Sequence, residues 1–181
     1  RTIFAMGGGG FAMEPDNLAL DQYILALTGK ERPKVCFLPT ASGDAEEYIE
    51  RFHVSLETLG TEHSHVSLTR YNQPDPIAHL LDQDLIYVGG GNSFLLIRDL
   101  HDRGLVAPIR EAVLSGVPYL GVSAGANVAS PTMMTTNDMP IVYPPSFESF
   151  GAVPFQINPH YYPGRIQFME DGVSYDHFGE T

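Results

Sequence analysis

Pro118-Tyr-Leu-Gly-Val-Ser-Ala-Gly-Ala-Asn127 runs an apolar strand directly into Gly121-Val122-Ser123-Ala124-Gly125. This is a G-x-S-x-G arrangement. On a tight strand-to-helix turn its two glycines let neighbouring backbone pass closely, and the serine hydroxyl is held outward at the end of a sheet strand. Further apolar runs bounded by turn residues lie at Thr2-Met6, Lys34-Leu38, His65-Leu68 and Leu85-Val88. Amphipathic stretches separate most of them and predict helices over 17–27, 45–59, 94–103 and 106–114. Gly29, Gly60 and Gly116 follow three of these at the position of a left-handed C-terminal turn. Strands alternating with helices indicate an α/β protein with a mostly parallel sheet and flanking helices in three layers.

Composition bounds the function classes. The chain has 181 residues, 43% of them hydrophobic, enough for one sizeable core and one domain. Ten Lys and Arg against 22 Asp and Glu give a net charge of -12 and a pI of about 4.8. That balance disfavours nucleic acid and anionic membranes as partners, because phosphate recognition needs clustered basic side chains. No apolar run approaches the roughly 20 residues needed to span a bilayer. Residues 1–20 lack the pattern of a signal peptide, so a cytoplasmic location is expected. The single cysteine, Cys36, sits in the buried-strand pattern Val35-Cys36-Phe37-Leu38 and is expected to be an inert core residue.

Beyond residue 130 the prolines at 131, 140, 144, 145, 154, 159 and 163 break up any long element. Loops and short strands are expected there, laid over the carboxyl edge of the sheet, where open α/β folds bind ligands. A serine needs a base to act as a nucleophile. Of seven histidines, His160 stands out, because Phe155-Gln-Ile-Asn-Pro-His160 reads as a short apolar strand that ends on it. His177 is the runner-up. Asp138, in the turn Thr135-Thr-Asn-Asp-Met-Pro140, supplies the order Ser, Asp, His. The Ala124 amide and one from the glycine loop Gly89-Gly90-Gly91-Asn92 are the expected oxyanion donors. No metal or cofactor is implied, since the histidines lack a motif such as H-E-x-x-H.

Taken together, Gly89-Gly-Gly-Asn92, Gly121-Val-Ser-Ala-Gly-Ala-Asn127, Thr136-Asn-Asp-Met-Pro140, Gln156-Ile-Asn-Pro-His160 and Gly179-Glu-Thr181 resemble the peptidase E (aspartyl dipeptidase) family, which is related to the cyanophycinases. Ala5-Met-Gly-Gly-Gly-Gly-Phe11 resembles its first strand and loop. The spacings from Ser123 to Asp138 and on to His160 also agree with the family's active-site positions.

The resemblance implies a class I glutamine amidotransferase-like fold and a serine dipeptidase acting on small peptides with N-terminal aspartate. Ser123, His160 and Asp138 would be catalytic and Gly91 and Ala124 would form the oxyanion hole. Asn92, Asn127, Tyr161 and Glu180 are expected near the substrate. The family motif continues past Gly-Glu-Thr with an arginine that grips the aspartate carboxylate. Residues 1–181 are therefore expected to be a single peptidase domain without its C-terminal part, and Arg165 is a candidate stand-in. The acid behind the histidine is either Asp138 or a glutamate of that further part. In the second case Asp138 would face the substrate's amino group or support the site from behind. The competing readings are a cyanophycinase-like exopeptidase and a non-catalytic nucleotide or amide binder using the glycine loops. A monomer or a homodimer is expected.

Overall fold

The structure, a computed structural model, describes residues 1–161 and the backbone of 165–170 and 173–178. Five strands, β1 (Ile3–Met6), β2 (Lys34–Leu38), β3 (Glu62–His65), β4 (Leu85–Val88) and β5 (Tyr119–Val122), form one sheet. Its order is β1-β5-β4-β2-β3 and every pairing is parallel. The helices are α1 (Ala19–Ala26), α2 (Glu46–Thr58), α3 (Pro76–Leu81), α4 (Ser93–Asp102), α5 (Val106–Ser115) and the single turn α6 (Ala124–Asn127). A separate antiparallel pair, β6 (Arg165–Glu170) and β7 (Val173–Phe178), lies near the end of the chain.

Strand side chains alternate between faces, and the alternation sorts the core into two. Cys36, Leu38, Ile86 and Val88 pack with Leu80, Leu96, Leu100 and Ile109 on the face covered by α3, α4 and α5. Val35, Phe37, Leu85, Tyr87 and Leu120 pack with Ile24, Phe52 and Leu56 on the face covered by α1 and α2. Both faces of the middle strands are therefore apolar, which is why β2, β4 and β5 read as continuous hydrophobic runs. Cys36 is wholly buried, and burial pushes its thiol up to about 12. It is an unreactive packing residue.

Three departures from the sequence reading have physical causes. The third strand is Glu62–His65 rather than 65–68. As an edge strand with β2 as its sheet partner, it can carry the polar run Glu-His-Ser-His. Past it, Ser67 Oγ and the Thr69 amide both donate to Asp44 Oδ2, at 2.6 and 2.9 Å, and pull the chain out of the sheet. Val66 and Leu68 still enter the core, but from a loop. The short helix α3, absent from that reading, starts at Asp75, whose side chain accepts from the Ala78 amide, with Pro76 in its first turn. The expected strand over 155–160 is instead a loop closing in a turn.

Residues 131–161 otherwise fold as anticipated, as loops, with one isolated bridge between Thr132 and Glu148. They are sewn to the end of α6 by backbone bonds from Phe150 to Val128 and from Ala152 to Ala129, each 2.9 Å. No helix of the described residues is long and apolar enough to cross a membrane.

Candidate active site

β1, β4 and β5 are parallel neighbours, so their carboxyl ends open on one edge of the sheet and bring three glycine-rich loops together. Ser123 follows the last residue of β5. Its amide continues the ladder to the Met6 carbonyl at 2.8 Å, and its carbonyl accepts from Asn127 at 2.9 Å. Between these two bonds the backbone turns with φ 52 and ψ -112, a conformation disfavoured for a side-chain-bearing residue. The turn is held by close packing. A Cβ on Gly121 would strike the Gly125 carbonyl, and one on Gly125 would overlap the Val88 carbonyl. The buried Tyr119 hydroxyl donates to the Gly125 carbonyl at 2.6 Å, tying strand to helix from below.

Ser123 Oγ lies 2.8 Å from His160 Nε2. With the hydroxyl as donor, the ring proton sits on Nδ1 and the Nε2 lone pair faces the serine. His160 reaches this position from a loop anchored by side chains. The Ile157 amide donates to Ser130 Oγ at 2.8 Å, and the Ile157 carbonyl accepts from Thr135 Oγ1 at 2.6 Å and Asn127 Nδ2 at 3.1 Å. Asn158 Oδ1 then accepts from the His160 amide at 3.1 Å. Gly7 completes the seat, since any side chain there would collide with the Pro159 carbonyl.

The other expected residues are distributed around this pair. Asp138 is placed at the start of α4 rather than against the ring: its Oδ2 accepts from the Ser93 amide at 2.6 Å. Among the described residues no carboxylate hydrogen-bonds the His160 ring. Asn92 caps the same helix, accepting from the Leu95 amide at 3.1 Å and donating to the Met139 carbonyl at 2.8 Å. Asn127 is buried, and its amide group is engaged by Thr135 and Ile157, so it braces the histidine loop. Tyr161 is 55% exposed beside His160. Gly91 is exposed with φ 138, and a Cβ there would overlap the Ala41 carbonyl. Among the described residues neither the Gly91 nor the Ala124 amide has a hydrogen-bond acceptor. Glu180 lies outside the described residues, as do the side chains of Arg165 and His177. Among the described residues no group of three His, Cys, Asp or Glu is arranged to hold a metal ion.

The bracing residues Ser130 and Thr135 gave no signal in the sequence. Nothing distinguishes a serine that accepts from a distant amide until the loop is folded onto it.

Fold and site together define an α/β protein with a serine on a strand-to-helix turn opposed by a histidine. The chain belongs to peptidase family S51, which it matches over residues 3–177. It is 47% identical over 148 residues to peptidase E of Streptomyces coelicolor, covering 82% of this chain and 56% of that protein. It is 45% identical over 148 residues to a probable alpha-aspartyl dipeptidase of Drosophila melanogaster, covering 81% and 57%. The chain thus spans somewhat more than half the length of these two relatives. Among solved structures it is similar in fold to a peptidase from an acI-B1 Actinobacterium, with a TM-score of 0.67, 23% identity and coverage of 88% of this chain and 68% of that one.

Proposed function

We propose that the protein is a serine dipeptidase that releases an N-terminal aspartate from small peptides through an acyl-enzyme. The observation that carries this reading is the 2.8 Å approach of Ser123 Oγ to His160 Nε2 across a strained strand-to-helix turn. The names of the relatives support the substrate class: one is a peptidase E and another a probable alpha-aspartyl dipeptidase.

In this mechanism Ser123 Oγ bonds to the scissile carbonyl carbon as its proton passes to His160 Nε2. The carbonyl electron pair moves onto oxygen, which then accepts hydrogen bonds from the Ala124 and Gly91 N–H groups. Collapse breaks the C–N bond, and the amine leaves with the proton held on Nε2. Water then bonds to the acyl carbon as its proton passes to Nε2, and collapse breaks the bond to Ser123 Oγ, which takes that proton back as the aspartate leaves. Losing one oxyanion donor in such a site costs about 2.7–4 kcal/mol of barrier. Asp138 acts here through the Gly91-Asn92-Ser93 turn, which its carboxylate holds against the 135–140 loop, and Tyr161 lies at the substrate side.

The test is amine release from Asp-Leu, Glu-Leu, Ala-Leu and N-blocked Asp-Leu by wild-type protein and by Ser123→Ala. Cleavage of Asp-Leu alone, abolished in the variant, is expected. Cleavage retained in metal-free Ser123→Ala would overturn the mechanism, and cleavage of Ala-Leu at the same rate would overturn the aspartate selectivity.

A further inference from the structure

The glycine loop after β4 is gripped on three sides. The Gly89 amide donates to Leu38 at 3.0 Å and the Asn92 amide to Ala41 at 2.7 Å. Between them, the Gly90 amide donates to the hydroxyl of Tyr48 at 3.3 Å. Tyr48 lies on α2, far from the serine in sequence, and its ring is wedged edge-on against Phe37 at 5.0 Å and tilted on Phe11 at 5.7 Å. The same ring forms the floor under Gly89, where an added Cβ would come within 3.1 Å of it. Gly90 in turn touches the nucleophile: a Cβ built on it would lie 3.1 Å from Ser123 Cβ and 3.8 Å from Ser123 Oγ.

An amide bonded to Tyr48 is withdrawn from the substrate space. The next amide, on the exposed Gly91, has no acceptor among the described residues. We infer that Tyr48 is a positioning residue: by holding the Gly90 amide it sets the Gly90–Gly91 peptide so that the Gly91 N–H remains available to the reacting carbonyl oxygen. The inference rests on the function proposed above. It adds a side chain from the opposite layer of the fold, reaching the site through the sheet edge. The hydroxyl suits the task, because burial raises its pKa and keeps it protonated at working pH, and its oxygen remains a neutral acceptor.

The experiment is Tyr48→Phe, which keeps the ring packing and removes the acceptor alone. Phe52→Leu serves as a packing control in the same aromatic cluster. For Asp-Leu, kcat is expected to fall about tenfold in Tyr48→Phe with KM within about twofold, since a misplaced donor acts on the transition state. Phe52→Leu should lower the melting temperature and leave kcat in place. By amide hydrogen exchange, Gly90 should be protected in wild type and Phe52→Leu and unprotected in Tyr48→Phe. An unchanged kcat in Tyr48→Phe, or an equal fall in Phe52→Leu, overturns the inference. If wild-type protein cleaves nothing, the proposed function fails and exchange alone decides the positioning: a Gly90 amide as open in wild type as in Tyr48→Phe overturns it.

Discussion

The two partners of the Ser123–His160 contact are held by different kinds of force. Ser123 stands on backbone: a ladder bond to Met6, a first-turn bond from Asn127, and glycines packed so closely against β4 and α6 that no side chain fits. His160 stands on side chains: Ser130, Thr135, Asn127 and Asn158 each hold one group of an exposed loop that has no sheet partner among the described residues. One half is rigid because its neighbours cannot move without breaking the core. The other is adjustable, because each anchor is a single hydrogen bond worth about 0.5–1.5 kcal/mol net. A serine built into the sheet edge and a histidine delivered by a loop therefore divide strain storage from positioning.

The sharpest way to break this contrast is at the serine's side. Gly125→Ala places a methyl onto the Val88 carbonyl and should destabilise the fold by about 3 kcal/mol or more, read as a drop in the urea midpoint, with cleavage lost alongside it. A modest cost would mean that the turn yields and the backbone seat is softer than described.

At the histidine's side the expected outcome differs in kind. Ser130→Ala leaves the buried-side Ile157 amide without its acceptor and should cost about 1–2 kcal/mol, with kcat lowered about tenfold by the displaced ring. Activity unchanged at full occupancy of the fold would show that the remaining anchors suffice.

Ser123→Gly separates strain from chemistry. Glycine accepts φ 52 without penalty, so the variant should gain about 1 kcal/mol in denaturant unfolding while losing turnover. Equal or lower stability would show that the turn is relaxed around serine.

The smallest effect lies far from the site, where His53 Nε2 and His65 Nδ1 meet at 2.8 Å between α2 and the edge strand. Burial, then the neighbouring His65 and His63 rings, lower the pKa of His53; burial also lowers that of His65, with Asp44 opposing and Arg70 assisting. Glu57 lies 3.9 Å from the His63 ring. Folded-state values below the unfolded one mean that the unfolded chain binds protons first as pH falls through about 6.5. The contribution to stability is therefore present above that pH and is lost on acidification toward the folded values. The melting temperature should decline modestly from pH 7.5 to 5.5, and less in His53→Phe. An identical decline in the variant would assign it to other groups.

Much of the fold was legible because it obeys local periodicity. Lys34–Leu38, Leu85–Val88 and Tyr119–Val122 are apolar on both faces and bounded by turn residues, and each is a strand with those bounds. The edge strand was misplaced because its polar sequence carries no core signal, and because Asp44, distant in the chain, captures Ser67 and Thr69. The pairing of Ser123 with His160 was legible from motif and position. The location of Asp138 at the α4 N-terminus was not, since an aspartate in a turn looks the same whether it faces a ring or a helix end.

The parallel α/β architecture, the glycine-flanked serine turn and the burial of Cys36 are local consequences of the sequence, because each follows from spacing within a few residues of chain. Packing, by contrast, sets which side chains seat the histidine loop, the joining of Asn92 and Asp138 to the start of α4 and the 135–140 loop, and the grip of Tyr48 on the glycine loop. Those contacts join residues from different elements. Such hydrogen bonds are chosen by the geometry of the packed sheet edge, where unpaired buried polar groups are costly and the nearest available partner is set by the fold.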